Sequence, residues 1–168
     1  MTLELVYDVD ESCPLAMTED EVLAVAEAVL AHQGVERDCS LSLSTMDDEE
    51  MAELNAEWRG VDKPTDVLSF ECERPDDPDL PEGVPCELGD VVLAPAYVAA
   101  QAARMGTTEA DETRLLLVHG VLHLLGHDHE EPEETALMQR AEEEILASIP
   151  NDGTLTDLVL ANHREEGS

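Results

Sequence analysis

The 168-residue sequence predicts a single domain of the α+β class, in which a small mixed β-sheet of about four strands packs with helices. Several short segments alternate apolar and polar residues, as strands with one buried face do. Longer segments between them repeat apolar residues at helical spacing. Aromatic residues make up only 2% of the chain, so aliphatic side chains must fill the core.

The first part of the chain predicts two strands and two helices. Residues 3–9 and 39–46 alternate apolar and polar side chains, which indicates two strands. Thr18 begins a capping box, and the helix that follows is expected to end at Gly34. Apolar residues at helical spacing predict a short helix over residues 47–58.

The middle of the chain predicts the other two strands and a third helix. Residues 67–70 and 88–94 are rich in β-formers. Between them, residues 74–86 contain four prolines and predict an extended surface loop. Pro95 opens an alanine-rich helix that is expected to run to about Met105.

The most apolar helix of the chain is predicted over residues 109–125. Thr108 can cap its first turn, and the acidic residues that follow suit the positive end of the helix dipole. Gly126 is expected to end the helix in a left-handed conformation. After it, a last long helix is predicted to end near Pro150.

This apolar helix carries a predicted metal site. His119 and His123 are four residues apart, so their imidazoles lie on one face of the helix. A turn at Gly126 would bring His129 back toward them, and three neutral imidazoles with a fourth position open to water are typical of zinc sites. The site is expected to hold one zinc ion per chain, with nickel as an alternative because imidazole binds both metals. His32, in contrast, is expected to interact with the C-terminal end of its own helix.

No internal repeat and no break in composition divides the chain, so one domain is expected over residues 1–153. Residues 154–168 contain a brief apolar patch and a polar end, and are expected to form a flexible or weakly docked tail. No apolar run approaches the roughly 20 residues of a membrane span, and the first residues do not resemble a secretion signal. We therefore expect a cytoplasmic protein without membrane contact, whose four scattered cysteines are reduced thiols.

The formal net charge of −33 is the most unusual property of the composition. Such a charge repels polyanions at long range, so it argues against general affinity for nucleic acids. Two of only eight basic residues, Arg59 and Lys63, nevertheless lie together on a loop. They could be solvated surface cations or a clamp for an anion such as phosphate. Arg74 and Arg114 would enlarge a local cationic pocket if the fold brought them to the same place.

The spacing of the three histidines is also that of the metzincin proteases, but one residue differs. Those enzymes carry glutamate directly after the first histidine as general base, whereas this chain has Gly120. Glycine has no side chain that could accept a proton, so a peptidase of that mechanism is disfavoured.

The histidine segment more closely resembles the YbeY family of metal-dependent single-strand endoribonucleases, also described as ribosomal RNA maturation factors. The family signature reads H-G-x-L-H-L-x-G-Y-D-H. The residues that match it are His119, Gly120, Leu122, His123, Leu124, Gly126, Asp128 and His129. His127 stands where the family usually has tyrosine.

A second segment is similar to the family pattern L-N-x-x-[YW]-R-x-x-D-x-P-T-D-V-L-S-F. The matched residues include Leu54, Asn55, Arg59, Asp62, Pro64, Thr65, Asp66, Val67, Leu68, Ser69 and Phe70. The arginine of this pattern is regarded as functionally important in the family, so the resemblance implies that Arg59 is catalytic. Lys63, which lies beside it, is expected to help bind the substrate.

The resemblance implies that residues 1–153 form a zinc-dependent endoribonuclease domain. Its expected substrate is single-stranded RNA, in particular ribosomal RNA, and its expected role is ribosomal RNA maturation and ribosome quality control. The small ribosomal subunit or its proteins are the expected partners. Two rivals stay open, namely a hydrolase of another substrate such as a zincin-like peptidase, and a non-catalytic ribosome-assembly factor with a structural metal.

Two further residues of the histidine segment have open roles. His127 could be a fourth metal ligand, a general acid, or a ring that replaces the family's tyrosine, and the last interpretation is favoured. Asp128 could orient an imidazole or accept a proton, of which orientation is the commoner role.

Overall fold

The computed structural model describes residues 1–127, 131–150 and 157–162. Its elements are, in chain order, β1 (Leu3–Asp8), α1 (Glu19–His32), β2 (Cys39–Thr45), α2 (Asp48–Arg59), β3 (Val67–Glu71), β4 (Cys86–Leu93), α3 (Pro95–Met105), α4 (Glu109–Leu124) and α5 (Pro132–Ser148). Residues 157–162 form a further helical segment. The predicted α+β class is confirmed.

The four strands form one mixed sheet in the order β1-β2-β4-β3. β1, β2 and β4 are parallel to one another, whereas β3 is antiparallel to β4. The side-chain alternation predicted for β2 is present, with Cys39, Leu41 and Leu43 buried and the serines between them half-buried. The order leaves β3 at one edge of the sheet.

Apolar side chains pack on both faces of the sheet. The larger core joins one face to α1, α4 and α5, and it includes Val91. The smaller core includes Met51 of α2 and Val92 of β4, and successive strand residues such as Val91 and Val92 point to opposite faces. Val159 and Leu160 are also buried in the larger core.

Gly120 allows α4 to lie close to the sheet. A Cβ atom at this position would lie 3.1 Å from Cγ1 of Val91 and 3.2 Å from Oγ of Ser69. The Ser69 hydroxyl donates to the carbonyl oxygen of Gly120 at 3.4 Å. The helix therefore approaches β3 and β4 at the level of its histidines.

Several element boundaries differ from the predicted ones by one or two residues, and the largest differences are at β4 and α1. β4 begins at Cys86 because the Cys86 amide donates to the carbonyl of Asp38 and Cys86 pairs with Cys39, which takes the end of the proline-rich loop into the sheet. α1 ends at His32 with Gln33 as its C-cap, and Gly34, which was expected to end the helix, follows with φ +70°.

Within the described ranges, no helix is both long enough and apolar enough to cross a membrane.

Candidate active site

The last turns of α4 bring two of the predicted zinc ligands together. Nε2 of His119 and Nε2 of His123 lie 3.0 Å apart, and the two rings are inclined at 81°. Two nitrogens bound to one tetrahedral zinc at about 2.0–2.1 Å would be about 3.3 Å apart. The spacing of this histidine pair therefore fits a shared metal ion.

The third predicted ligand, His129, lies outside the described residues, as does Asp128. Among the residues that are described, no three histidine, cysteine, aspartate or glutamate side chains converge as a metal site would require. The histidine pair places two nitrogens at a spacing that fits zinc, and both the zinc site and its third donor stay predictions.

A buried glutamate lies behind the histidine pair. Oε2 of Glu142, on α5, is 3.0 Å from Nδ1 of His119, and Glu142 is only 3% exposed. A carboxylate accepts a hydrogen bond, so Nδ1 of His119 carries the proton and Nε2 keeps its lone pair. The contact therefore holds His119 in the tautomer and orientation that a metal ligand needs.

Glu142 was not among the site residues predicted from the sequence, although its position on α5 carries a signal. Glu142 follows Met138 by four residues and directly follows Ala141, two residues of the buried face of α5. An acidic residue on a buried helix face requires a polar partner. That partner could not be named without the tertiary structure.

The histidine pair opens into a cleft of about 420 Å³ between α4, β3 and the end of α2. Its lining residues are Arg59, Thr65, Asp66, Val67, Leu68, Ser69, Glu71, His119, His123 and Leu124. The fold thus places Arg59 in the same cleft as two predicted metal ligands that are 60 and more positions away in sequence. Lys63 does not line this cleft.

Local contacts hold the loop between Arg59 and β3. Gly60 caps α2 in a left-handed conformation with φ 70°. The buried Asn55 donates from Nδ2 to the Lys63 carbonyl at 2.8 Å, and Oδ1 of Asp66 accepts from the Val67 amide at 2.8 Å. Hydrogen bonds between side chains and the backbone therefore hold the loop that follows Arg59.

Arg74 and Arg114, the two arginines considered as additions to a cationic pocket, differ in their distance from the cleft. Arg74 pairs with Glu71, which lines the cleft. Its guanidinium lies against Gly126, because a Cβ atom added to that glycine would be only 2.5 Å from Nη1 of Arg74. Arg114 is largely buried and pairs with Asp111 at 2.5 Å, outside the residues that line the cleft. Of these two arginines, Arg74 is the one that lies near the cleft with Arg59.

His127 points away from the cleft and toward the end of α1. Its Nε2 is 2.6 Å from Oε1 of Gln33. Burial, followed by the nearby His32, lowers the pKa of His127 below its usual value. Of the three roles considered for this residue, the contact with Gln33 favours a packed ring over a ligand or general acid.

His32 lies in the last turn of α1, as predicted, and it also has side-chain partners. Nε2 of His32 is 2.8 Å from Oε2 of Glu144 on α5, and Nδ1 is 2.8 Å from the Gln33 amide nitrogen. A carboxylate from another helix is a stronger partner than the weak dipole of the helix end.

The sequence is similar to several proteins of known family. A family model described as Endoribonuclease YbeY matches residues 7–150. The Endoribonuclease YbeY of Mycolicibacterium vanbaalenii is 38% identical over 98% of this chain and 88% of its own length. That of Salinispora tropica is 46% identical over 77% of this chain and 86% of its own length.

A solved structure supports the fold. The solution structure of the Thermotoga maritima protein TM1509 aligns with a TM-score of 0.54 and covers 99% of this chain and 94% of the other, at 22% identity. At this identity the likeness concerns the fold alone. The family match over residues 7–150 and the relatives that are 38% and 46% identical over most of the chain show that this protein belongs to the Endoribonuclease YbeY family.

Proposed function

We propose that this protein is a zinc-dependent endoribonuclease that cleaves single-stranded RNA. The observation that carries the proposal is the cleft in which Arg59 faces the histidine pair. Cleavage of a phosphodiester is favoured by positive charge near the phosphoryl oxygens and by a bound metal ion. This cleft is lined by Arg59 and by two of the three predicted metal ligands. Its relatives in the family are named endoribonucleases.

His119, His123 and His129 would hold the zinc. The first two fit by the 3.0 Å spacing of their Nε2 atoms, and Glu142 fixes the tautomer of His119. When bound, zinc lowers the pKa of a coordinated water to about 7 and polarises a phosphoryl oxygen. The protein's own contribution is to orient the imidazoles and to present the cleft beside them.

Arg59 would bind the scissile phosphate. Its guanidinium offers a planar set of donors that matches two phosphate oxygens, and these contacts stabilise charge that develops during cleavage. Arg74 would contribute less, because Glu71 already pairs with it. Lys63, outside the cleft lining, would contact RNA beyond the scissile phosphate.

The substrate we propose is ribosomal RNA, in ribosomal RNA maturation and ribosome quality control in the cytoplasm. The net charge of −33 opposes general RNA binding. Selection of RNA would therefore depend on local contacts in the cleft and on a partner that presents the RNA, and we propose the small ribosomal subunit or its proteins for that role.

The first experiment measures zinc content and cleavage of single-stranded RNA on one purified sample, before and after treatment with a chelator. We expect about one zinc per chain and cleavage that chelation abolishes and added zinc restores. Zinc without cleavage, even with small ribosomal subunits added, would favour the non-catalytic assembly factor. Absence of metal from the purified protein, with no uptake of added zinc, would contradict the proposed site.

Arg59→Ala separates the endoribonuclease from a zinc hydrolase of another substrate. We expect the variant to keep its zinc and its fold but to cleave RNA about 10²- to 10³-fold more slowly, because a charge-stabilising donor is lost. Arg140→Ala, which removes an exposed arginine of α5 outside the cleft, is the matched control and should cleave normally. Undiminished cleavage by Arg59→Ala would remove this residue from the site.

A further inference from the structure

Trp58 is the most conspicuous residue near the cleft that the proposed mechanism does not use. It is the only tryptophan of the chain, which has only four aromatic residues in total. Its helical spacing from Met51 and Leu54 suggests a buried residue, yet it is 64% exposed while Met51 is fully buried. The other three aromatic side chains are at least half-buried.

A packing contact holds the Trp58 ring without covering it. Its centroid lies 5.5 Å from that of Phe70 on β3, and the two rings are inclined at 65°. An edge contact of this kind orients a ring and leaves much of its π surface in water. The exposed ring is thus positioned rather than loosely attached.

The position of Trp58 relates it to the cleft. Trp58 directly precedes Arg59, and its partner Phe70 lies between Ser69 and Glu71 on β3. Arg59, Ser69 and Glu71 line the cleft, whereas the two aromatic residues do not. Phe70 packs in the smaller core, so the Trp58 ring lies on the face of β3 opposite Ser69 and Glu71. Because β3 is an edge strand, only the edge of the sheet separates that face from the cleft. A strand of RNA bound at Arg59 and leaving the cleft over β3 would meet this ring.

A single exposed apolar residue is common on protein surfaces and assigns nothing by itself. The neighbouring charges decide what Trp58 would contact. Arg59 and Lys63 are two of only eight basic residues among 41 acidic ones, and they lie within five positions of the ring, as do the acidic Glu53, Glu57 and Asp62. Of these five charged residues, only Arg59 lines the cleft. Aromatic rings beside cations are what single-stranded nucleic acids bind, since bases stack on the rings and phosphates contact the cations.

We propose that Trp58 is a binding site for one unstacked base of single-stranded RNA, next to the nucleotide whose phosphate contacts Arg59. The proposal rests on the proposed function and extends it to the base. Stacking on a π surface accepts any base, so Trp58 adds affinity for single strands with little sequence preference. A base paired within a duplex is not free to stack in this way, so the site would favour unpaired RNA.

The test uses the zinc-bound protein and two octamers with the same 2′-O-methyl ribose-phosphate backbone, one of uridine and one without bases. Because Trp58 is the only tryptophan, its fluorescence reports directly on stacking. We expect the uridine octamer to quench this fluorescence. The octamer without bases should bind more weakly and leave the fluorescence unchanged.

Two variants test the same point by affinity, measured with labelled octamers. Trp58→Leu keeps an apolar side chain without a π surface and should weaken binding of the uridine octamer by about 5- to 150-fold. Trp58→Phe should keep most of the affinity. Neither variant should alter the affinity for the octamer without bases, and both should melt cooperatively because the ring is mostly exposed.

The outcomes distinguish this proposal from the proposed function. If the wild-type protein binds both octamers equally well, or if Trp58→Leu binds the uridine octamer as the wild type does, the base site is wrong while RNA binding stands. If it binds neither octamer, the base site is overturned, whereas the proposed function is decided by the cleavage assay with small ribosomal subunits added. If Trp58→Leu binds RNA normally but loses a dimer seen by sedimentation, the ring serves self-association instead.

Discussion

At the scale of single residues, the contact between Glu142 and His119 is the feature with the clearest chemical consequence. The carboxylate is buried, and its hydrogen bond selects which nitrogen of His119 is available to a metal. Arg59 acts in a different way, by placing its charge directly in the cleft. Glu142 thus orients His119, a predicted metal ligand, whereas Arg59 is expected to contact the substrate.

We predict that Glu142→Gln lowers zinc affinity by about 10- to 100-fold, as loss of a hydrogen-bond partner of a ligating histidine typically does. The neutral amide still fills the space but is a weaker acceptor for the Nδ1 proton of His119. Zinc affinity is measured by competition with a chromophoric chelator, and the fold of the metal-free variant is checked by circular dichroism.

Glu144→Gln is the matched control for this change. It removes the same charge from the same helix, but its carboxylate contacts His32, which is not a predicted ligand. This variant should bind zinc as the wild type does. Equal zinc affinity of Glu142→Gln and the wild type would show that the carboxylate is only a packing partner.

At the scale of elements, the site depends on how closely α4 approaches the sheet. Gly120 permits this approach because a side chain there would meet Val91 and Ser69. The same glycine separates this protein from the metzincin pattern, in which glutamate occupies the position. A glutamate here would crowd Val91 of β4 and Ser69 of β3.

We predict that Gly120→Ala destabilises the protein by about 1 kcal/mol, because crowding of the core outweighs the gain in helix propensity. The melting temperature of the zinc-bound protein should fall by about 2–4 °C for a chain of this size. Ser69→Ala removes one of the two crowded neighbours, so the double variant should lose less stability than the two single changes added together. A higher melting temperature of Gly120→Ala would contradict the close packing.

At the scale of the whole molecule, the acidic composition and the proposed substrate oppose each other. With 41 acidic and 8 basic residues, long-range repulsion acts on any RNA that approaches and also within the folded protein itself. Arg59 nevertheless lines the same cleft as the histidine pair, so a positive charge lies at the proposed RNA site. The balance between local attraction and global repulsion should therefore depend on salt.

We predict that potassium chloride raises the melting temperature, because it screens the repulsion among the acidic residues. The Debye length falls from about 10 Å at 0.1 M salt to about 3 Å at 1 M, so most of the increase should occur below about 1 M. Thermal melts between 0.05 and 3 M potassium chloride measure it. A flat or falling melting temperature would exclude self-repulsion as a major cost to folding, and an increase confined to higher salt would indicate a general effect of the salt on hydration.

The sequence by itself determined the features that depend on neighbours along the chain. Thr18 and Thr108 cap their helices as predicted because a cap joins residues three positions apart, and the pairing of His119 with His123 follows from one helical turn. The alternation of β2 likewise requires only the geometry of a strand.

Only the tertiary structure decided which distant residues meet. Glu142 reaches His119 across 23 positions and Gln33 reaches His127 across 94, and no local pattern encodes either contact. The packing of α2 on β3 placed Arg59 in the cleft and left Trp58 in solvent, against its helical spacing. The physical reason is that periodicity predicts which face of an element is apolar, whereas the packing of elements against one another decides how far that face is covered and which polar groups become partners.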